Sequence, residues 1–257
     1  MILLLSPAKT LDYESPLPDL AATRPRFAEE AIATAQAASK LSARKLGKLM
    51  SISDKLSKLN AERYSDFAGQ EERPAIYAFA GDVYTGLEAR TLDEPAIGFA
   101  QDHVRILSGL YGLLRPLDLI RPYRLEMGTR WAPGRKKNLY EHWGNRISDV
   151  IAADLLAEGS DTMVNCASRE YWHAIDQAPP KGVRIITIDF REDGPKGLSF
   201  ISFNAKRARG MMARWMCEHR ITNPDDLRGF DSDGYAFTAD GSDESVWRFV
   251  RKRRMAA

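Results

Sequence analysis

The chain has 257 residues, 44% hydrophobic and 28% charged, with 37 Lys and Arg against 35 Asp and Glu for a net charge of +2. That balance describes a globular protein and excludes both a polycation and a disordered polymer, and no apolar run approaches the ~20 residues of a membrane span. Two cysteines, Cys166 and Cys217, are too few for a disulfide framework and predict core thiols in a reducing cytoplasm.

The opening stretch, MILLLSPAKT, lacks the basic start and length of a signal peptide, so residues 2–5 are expected as a buried strand. Helical spacing follows over 27–39, 43–50 and 54–67, then a strand over 75–79 behind Pro74 and a helix over 95–107. One further helix is predicted over 139–157, and strands over 162–166, 183–190 and 198–203. The turn-rich link REDGPKG joins the last two as an antiparallel hairpin. A helix over 206–220 places Ala208, Met211, Met212, Trp215, Met216 and His219 on one face, with Asn204 as its cap. In TNPDDLRGF, Asn223 caps, Pro224 takes the first helical position and Gly229 stops the turn. A strand over 245–251 ends the series.

Strands alternating with helices predict an α/β (α+β mixed) fold: one domain over residues 1–257, with a mixed sheet inside surrounding helices. The basic end, about 248–257, is expected as a flexible tail.

Charge is unevenly distributed. Between Asp102 and Arg146 there are nine Lys and Arg against four Asp and Glu, and between Asn204 and Arg220 five against one. Residues 223–245 reverse this, with seven acids against Arg228, and RFVRKRR restores five positive charges. Such blocks either neutralise one another or gather into one face for a polyanion.

Three strand exits carry polar residues to where open α/β sheets bind ligands. Ser6, Lys9 and Thr10 follow the first strand; Asp82 and Tyr84 follow the second through Gly81; Asn165 and Ser168 leave the third. Their convergence would make one polar pocket for an enzyme or a small-anion or nucleotide binder, although Asp82 serves equally as a helix cap. Established catalytic patterns are missing: S-x-x-K at Ser6 and Lys9 lacks its partner motifs, and no Walker glycines or G-x-S-x-G elbow occur. His103, His142, His173 and His219 are scattered, and the single E-x-x-H at Glu170 and His173 has no second copy, so neither a metal nor another cofactor is expected.

The segment LSGLYGLLRPLDLIRPYRLEMG sets Gly109 and Gly112 three apart ahead of Arg115, Arg121 and Arg124. It reads either as a hairpin offering backbone amides and arginines to a phosphate, or as a plain helix stop.

Taken together, SPAKTLDY, GDVYTGL, the segment above, NCASREYW and ISFNAKRARGMM resemble the YaaA family of bacterial peroxide-stress-response proteins, in the family's order, with GFDSDGYAF extending the likeness. The resemblance implies a cytoplasmic protein limiting damage when peroxide meets intracellular iron, and a fold described as cantaloupe-like. It also implies DNA as partner, duplex or branched and largely independent of sequence, bound beside a basic cleft by a helix-hairpin-helix carried onto residues 107–119. Gly109, Gly112, Arg115, Arg121 and Arg124, with Lys206, Arg207 and Arg209 of the basic helix, are the expected DNA-contacting residues. No catalytic residues carry over. Asn204, Cys166 and His173 stand where the family usually has Tyr, Leu and Lys.

Overall fold

The computed structural model describes residues 1–253. Strand β1 (Ile2–Leu5) is buried at every residue, as a wholly apolar run is when both faces of a parallel sheet are covered. After the short β2 (Thr10–Leu11), helices α1 (Ala28–Ser39), α2 (Ala43–Met50) and α3 (Asp54–Ser65) follow. Ser42 and Ser53 cap α2 and α3 through their hydroxyls, and left-handed Ser51 turns the chain between them.

Next come β3 (Arg73–Pro74), α4 (Ala75–Ala78), β4 (Phe79–Ala80), α5 (Asp82–Leu87) and α6 (Glu94–His103). Strands β5 (Val104–Ser108), β6 (Gly112–Leu114) and β7 (Leu119–Ile120) precede α7 (Leu139–Trp143), α8 (Arg146–Ala157), β8 (Thr162–Asn165) and α9 (Arg169–Asp176). The chain then forms β9 (Arg184–Gly194), β10 (Gly197–Ser199), α10 (Ser202–Glu218), β11 (Ala236–Thr238) and β12 (Val246–Lys252).

The main sheet runs β11-β12-β9-β8-β1-β5-β6, with β10 paired to β9. Its five inner strands are parallel, and β6, β10 and β11 pair antiparallel to their neighbours, so this single α/β domain has the mixed sheet that was expected. Among the described residues no helix is long and apolar enough to cross a membrane.

Several boundaries differ from the sequence reading. Residues 75–78 form one helical turn, because a fully buried run such as AIYA carries no period to separate helix from strand. The helix expected over 95–107 ends at His103, and Val104 to Ser108 cross to the sheet beside β1 with Leu3 opposite Val104. Gly144, at φ 52°, divides the single helix expected over 139–157 into α7 and α8. Strand β10 stops at Ser199 and α10 begins at Ser202, so Asn204 lies inside the helix and gives its amide to Glu192 at 2.6 Å instead of capping.

The basic end is strand through Lys252, not a tail. Arg248 pairs with Asp189 at 3.0 Å, and Arg251 pairs with Glu192 and Asp233. Residues 254–257 of the expected tail lie outside the described residues. Arg207 also reaches Asp233, at 3.7 Å, so the acidic block folds in part against the basic ones.

Candidate functional site

The carboxyl ends of β1 and β8 and the start of α5 are tied together by polar contacts. The Ser168 amide donates to Ser6 Oγ at 2.8 Å, and the Tyr84 hydroxyl donates to the Ser6 carbonyl at 3.2 Å. Asn165 Oδ1 accepts the Ala167 amide at 3.0 Å and shapes the exit of β8. Tyr84 and Asn165 are buried and hold walls, while Ser6, Lys9, Thr10, Asp82 and Ser168 line a cleft of about 530 Å³. The exits of β1 and β8 thus meet at the carboxyl end of the main sheet, where ligands bind in such folds, and the turn from β4 into α5, which lies outside that sheet, joins them.

The basic helix supplies the far wall. Lys206 and Arg209 line the same cleft, together with Arg169 and Glu170 from the start of α9. A close crossing brings α10 there: a Cβ on Gly210 would collide with the Val83 carbonyl oxygen, and one on Gly86 with that of Arg207. Only glycine permits backbones to meet at this distance, and Lys206 then sits 3.6 Å from Asp82. The sequence signal for this was a glycine in the middle of a strong helix, opposite its apolar face, where it costs about 1 kcal/mol relative to alanine unless packing requires it.

Most charges around the cleft have partners. Lys9 lies 3.3 Å from Glu126, which also holds Arg124 at 3.1 Å, and Glu170 accepts the Gly128 amide at 2.9 Å. Arg209 differs. No carboxylate among the described residues lies within ion-pair distance, and its buried Nε has no hydrogen-bond partner. Burial pushes the Arg209 pKa below its ordinary value, with Cys166 and Asp189 pulling the other way. An arginine stays cationic under such pressure, so its guanidinium brings an unneutralised charge to the cleft.

Residues 107–119, the expected helix-hairpin-helix, form the β5–β6 hairpin and the turn after it. A Cβ on Gly109 would strike the Leu125 carbonyl, and one on Gly112, at φ 65°, would come within 2.7 Å of the Trp143 ring. Both glycines are buried, and Trp143 donates its ring N–H to the Gly109 carbonyl at 3.0 Å. Arg115 pairs with Asp118 at 3.4 Å, Arg121 with Glu72 at 3.0 Å, and Arg124 with Glu126.

A basic surface absent from the sequence reading lies on α2 and α3. Residues 40–63 hold seven Lys and Arg against two acids, a denser excess than the blocks singled out above. Arg44, Lys45, Lys48, Lys55 and Lys58 are exposed, and none lies within ion-pair distance of a carboxylate among the described residues. A Cβ on Gly47 would come within 2.5 Å of Ser57 Oγ, so this glycine sets how closely the two helices pack. Arg63 of α3 shares a shallow groove with Ala80, which also lines the cleft, so the two basic features adjoin.

Cys166 and Cys217 are both buried, and burial pushes each thiol up to about 12. Both should therefore remain as thiols when the native protein meets dilute peroxide at pH 7.5, and react with a disulfide reagent only on unfolding. Rapid titration of either thiol in the native state would contradict this. His173 pairs with Asp176 at 3.0 Å, and among the described residues no three His, Cys, Asp or Glu side chains group as metal ligands would.

Comparison with known proteins agrees with the sequence resemblance. A family model described as peroxide stress protein YaaA matches residues 1–241. A UPF0246 protein of Rhizorhabdus wittichii is 81% identical over 98% of this chain and 100% of its own length. UPF0246 proteins of Chromobacterium violaceum and Aliivibrio fischeri are 48% and 45% identical, each over at least 98% of both chains.

Proposed function

The chain belongs to the family of peroxide stress protein YaaA and serves the peroxide stress response, and we propose that it does so by holding DNA through the phosphate backbone and shielding it from iron-linked peroxide damage. The observation that carries this reading is the α2–α3 pair, with Arg44, Lys45, Lys48, Lys55 and Lys58 exposed and unneutralised on two adjacent helices. A polyanion is the complement of such a surface, and contacts of lysine and arginine to phosphates carry no base readout. Arg115, Arg121 and Arg124 each hold a carboxylate of the protein and contribute less to this surface.

The test is fluorescence anisotropy of a labelled duplex over a series of salt concentrations. Wild type should bind at low salt and weaken steeply as salt rises. Lys55→Ala and Lys58→Ala should each lower the salt slope by about one, uniformly across sequences, while Arg115→Ala leaves it unchanged. The same lysine variants should protect plasmid less well against nicking by ferrous iron and peroxide. Absence of duplex binding at low salt, or binding indifferent to salt, would overturn the proposal.

A further inference from the structure

We propose that the cleft between β1, α5, α9 and α10 is a receptor for a phosphomonoester group, separate from the basic surface of α2 and α3. The inference stands on the cleft alone and does not need the DNA reading.

Arg209 is the first observation. The side chain is half-buried, its Nε is wholly buried with no hydrogen-bond partner, and only the more distant Asp189 and Cys166 draw on its charge; a protein keeps such a group where a ligand supplies the nearer counter-charge. The guanidinium fork also matches phosphate oxygens in geometry.

The charge count around it is the second. Lys9, Arg169, Lys206 and Arg209 line the cleft with Asp82 and Glu170. Asp82 offsets Lys206, Glu126 offsets Lys9 from outside the lining, and the Gly128 amide occupies one oxygen of Glu170. Arg209 and Arg169 remain to meet an anion; Arg169, an exposed side chain, also has no ion-pair partner among the described residues.

The third is the start of α9. Ser168 occupies its N-cap position without a capping hydrogen bond from its side chain, and Arg169, Glu170 and Tyr171, the first residues of the helix, border the cleft. Helix N-terminal amides that lack a side-chain cap favour an anion, and here they coincide with a guanidinium. The hydroxyls of Ser6, which already accepts the Ser168 amide, and of Thr10 add polar groups to the lining. A volume of about 530 Å³ suits a small ligand such as a mononucleotide. The phosphomonoester has two sources, a free mononucleotide or the 5′ end of a DNA strand.

The test is titration of the full chain with dAMP, followed by calorimetry and by the phosphorus NMR shift of the ligand. Deoxyadenosine is the control without the phosphate. Saturable binding of dAMP is expected, with deoxyadenosine bound at least about tenfold more weakly, since hydrogen bonds to charged groups carry differences of that size. Arg209→Ala should weaken dAMP at least about tenfold, Arg169→Ala should weaken it less, and Lys58→Ala should leave it unchanged. Affinity should rise from pH 5 to pH 7.5 as the phosphomonoester loses its second proton. Circular dichroism checks that the Arg209 variant is folded, and Arg209→Lys, which keeps the charge without the fork, should recover only part of the affinity.

A duplex carrying 5′ phosphates is compared with its 5′-hydroxyl counterpart. Tighter binding of the phosphorylated duplex, lost in Arg209→Ala, identifies the DNA end as the source. Equal binding of the two duplexes together with dAMP binding identifies a free nucleotide. The proposal is overturned if neither dAMP nor end phosphorylation changes anything, if deoxyadenosine binds as well as dAMP, or if folded Arg209→Ala and Arg169→Ala both bind as wild type does. Failure of the DNA reading shows separately, as a lack of 5′-hydroxyl duplex binding at low salt.

Discussion

Gly210→Ala is expected to destabilise the protein by about 3 kcal/mol or more, at the upper end of what overpacking costs. Two effects oppose each other here. Helix propensity alone would favour alanine by about 1 kcal/mol in the middle of α10. Against it, the added Cβ would overlap the Val83 carbonyl oxygen and crowd the Leu87 amide, atoms of helical backbone that cannot swing aside as a side-chain tip does. The clash wins because relieving it means moving α10 away from α5 along their whole contact. Urea unfolding measures the loss through the midpoint at unchanged slope. Gly86→Ala, which meets the Arg207 carbonyl from the other side of the crossing, should behave alike. Wild-type stability in both variants would show that the two helices do not meet this closely. Any fraction that folds should also lose the Lys206–Asp82 contact, so the variants couple packing to the cleft.

The second large effect is expected at Glu192. This carboxylate is 3% exposed and receives Arg251 through Nε at 3.0 Å and Nη2 at 2.6 Å, while the Asn204 amide donates to the same oxygen at 2.6 Å. Glu192→Ala strips Arg251 of one of its two carboxylate partners and leaves a buried amide donor unpaired, which should cost about 3–5 kcal/mol. Glu192→Gln keeps the shape and one acceptor, and should cost less. The pair joins β9, β12 and the first turn of α10, so its loss should loosen the sheet edge and the helix that carries Lys206 and Arg209 together. Thermal and urea unfolding of both variants give the comparison. A loss below about 1 kcal/mol for Glu192→Ala would mean that water replaces the carboxylate at little cost.

Asn204 illustrates how such a network escapes a linear reading. Its residue type and position ahead of a basic run suit a helix cap, and local chemistry alone supports that assignment. The helix nevertheless begins at Ser202, because a buried Glu192 on another strand offers the Asn204 amide a better partner than an open helix end. A cap is decided by atoms three residues away. This contact is decided by a carboxylate twelve residues away and by the strand pairing that buries it.

The surroundings of Gly109, Gly112 and the arginines after them escape a linear reading for a similar reason. Glycines among leucines look alike whether they stop a helix, expose amides to phosphate or let a tryptophan lie on the backbone. At Gly112 the Trp143 ring decides the matter, and at Gly109 it is the Leu125 carbonyl. Asp118 holds Arg115 from three residues along the same turn, whereas Glu72, which holds Arg121, reaches it only by folding. The surface of α2 and α3 was legible, since seven cations among 24 residues with two acids stand out once helical spacing is recognised.

By itself the sequence determined the alternation of strands and helices, the buried β1, the β9–β10 hairpin, the two core thiols, the family, and the polar exits of β1 and β8 that open on one cleft. Those features follow from hydrophobic periodicity, turn residues and residue chemistry, which act over a few positions along the chain. Only the tertiary structure decided that 104–108 is strand, that Gly86 and Gly210 seat two helices against each other, that Glu72 neutralises Arg121, and that no carboxylate among the described residues lies within ion-pair distance of Arg209. Each of these depends on which groups from distant segments share a low-dielectric neighbourhood, where burial and pairing set the energies and one-dimensional spacing carries little record of the outcome.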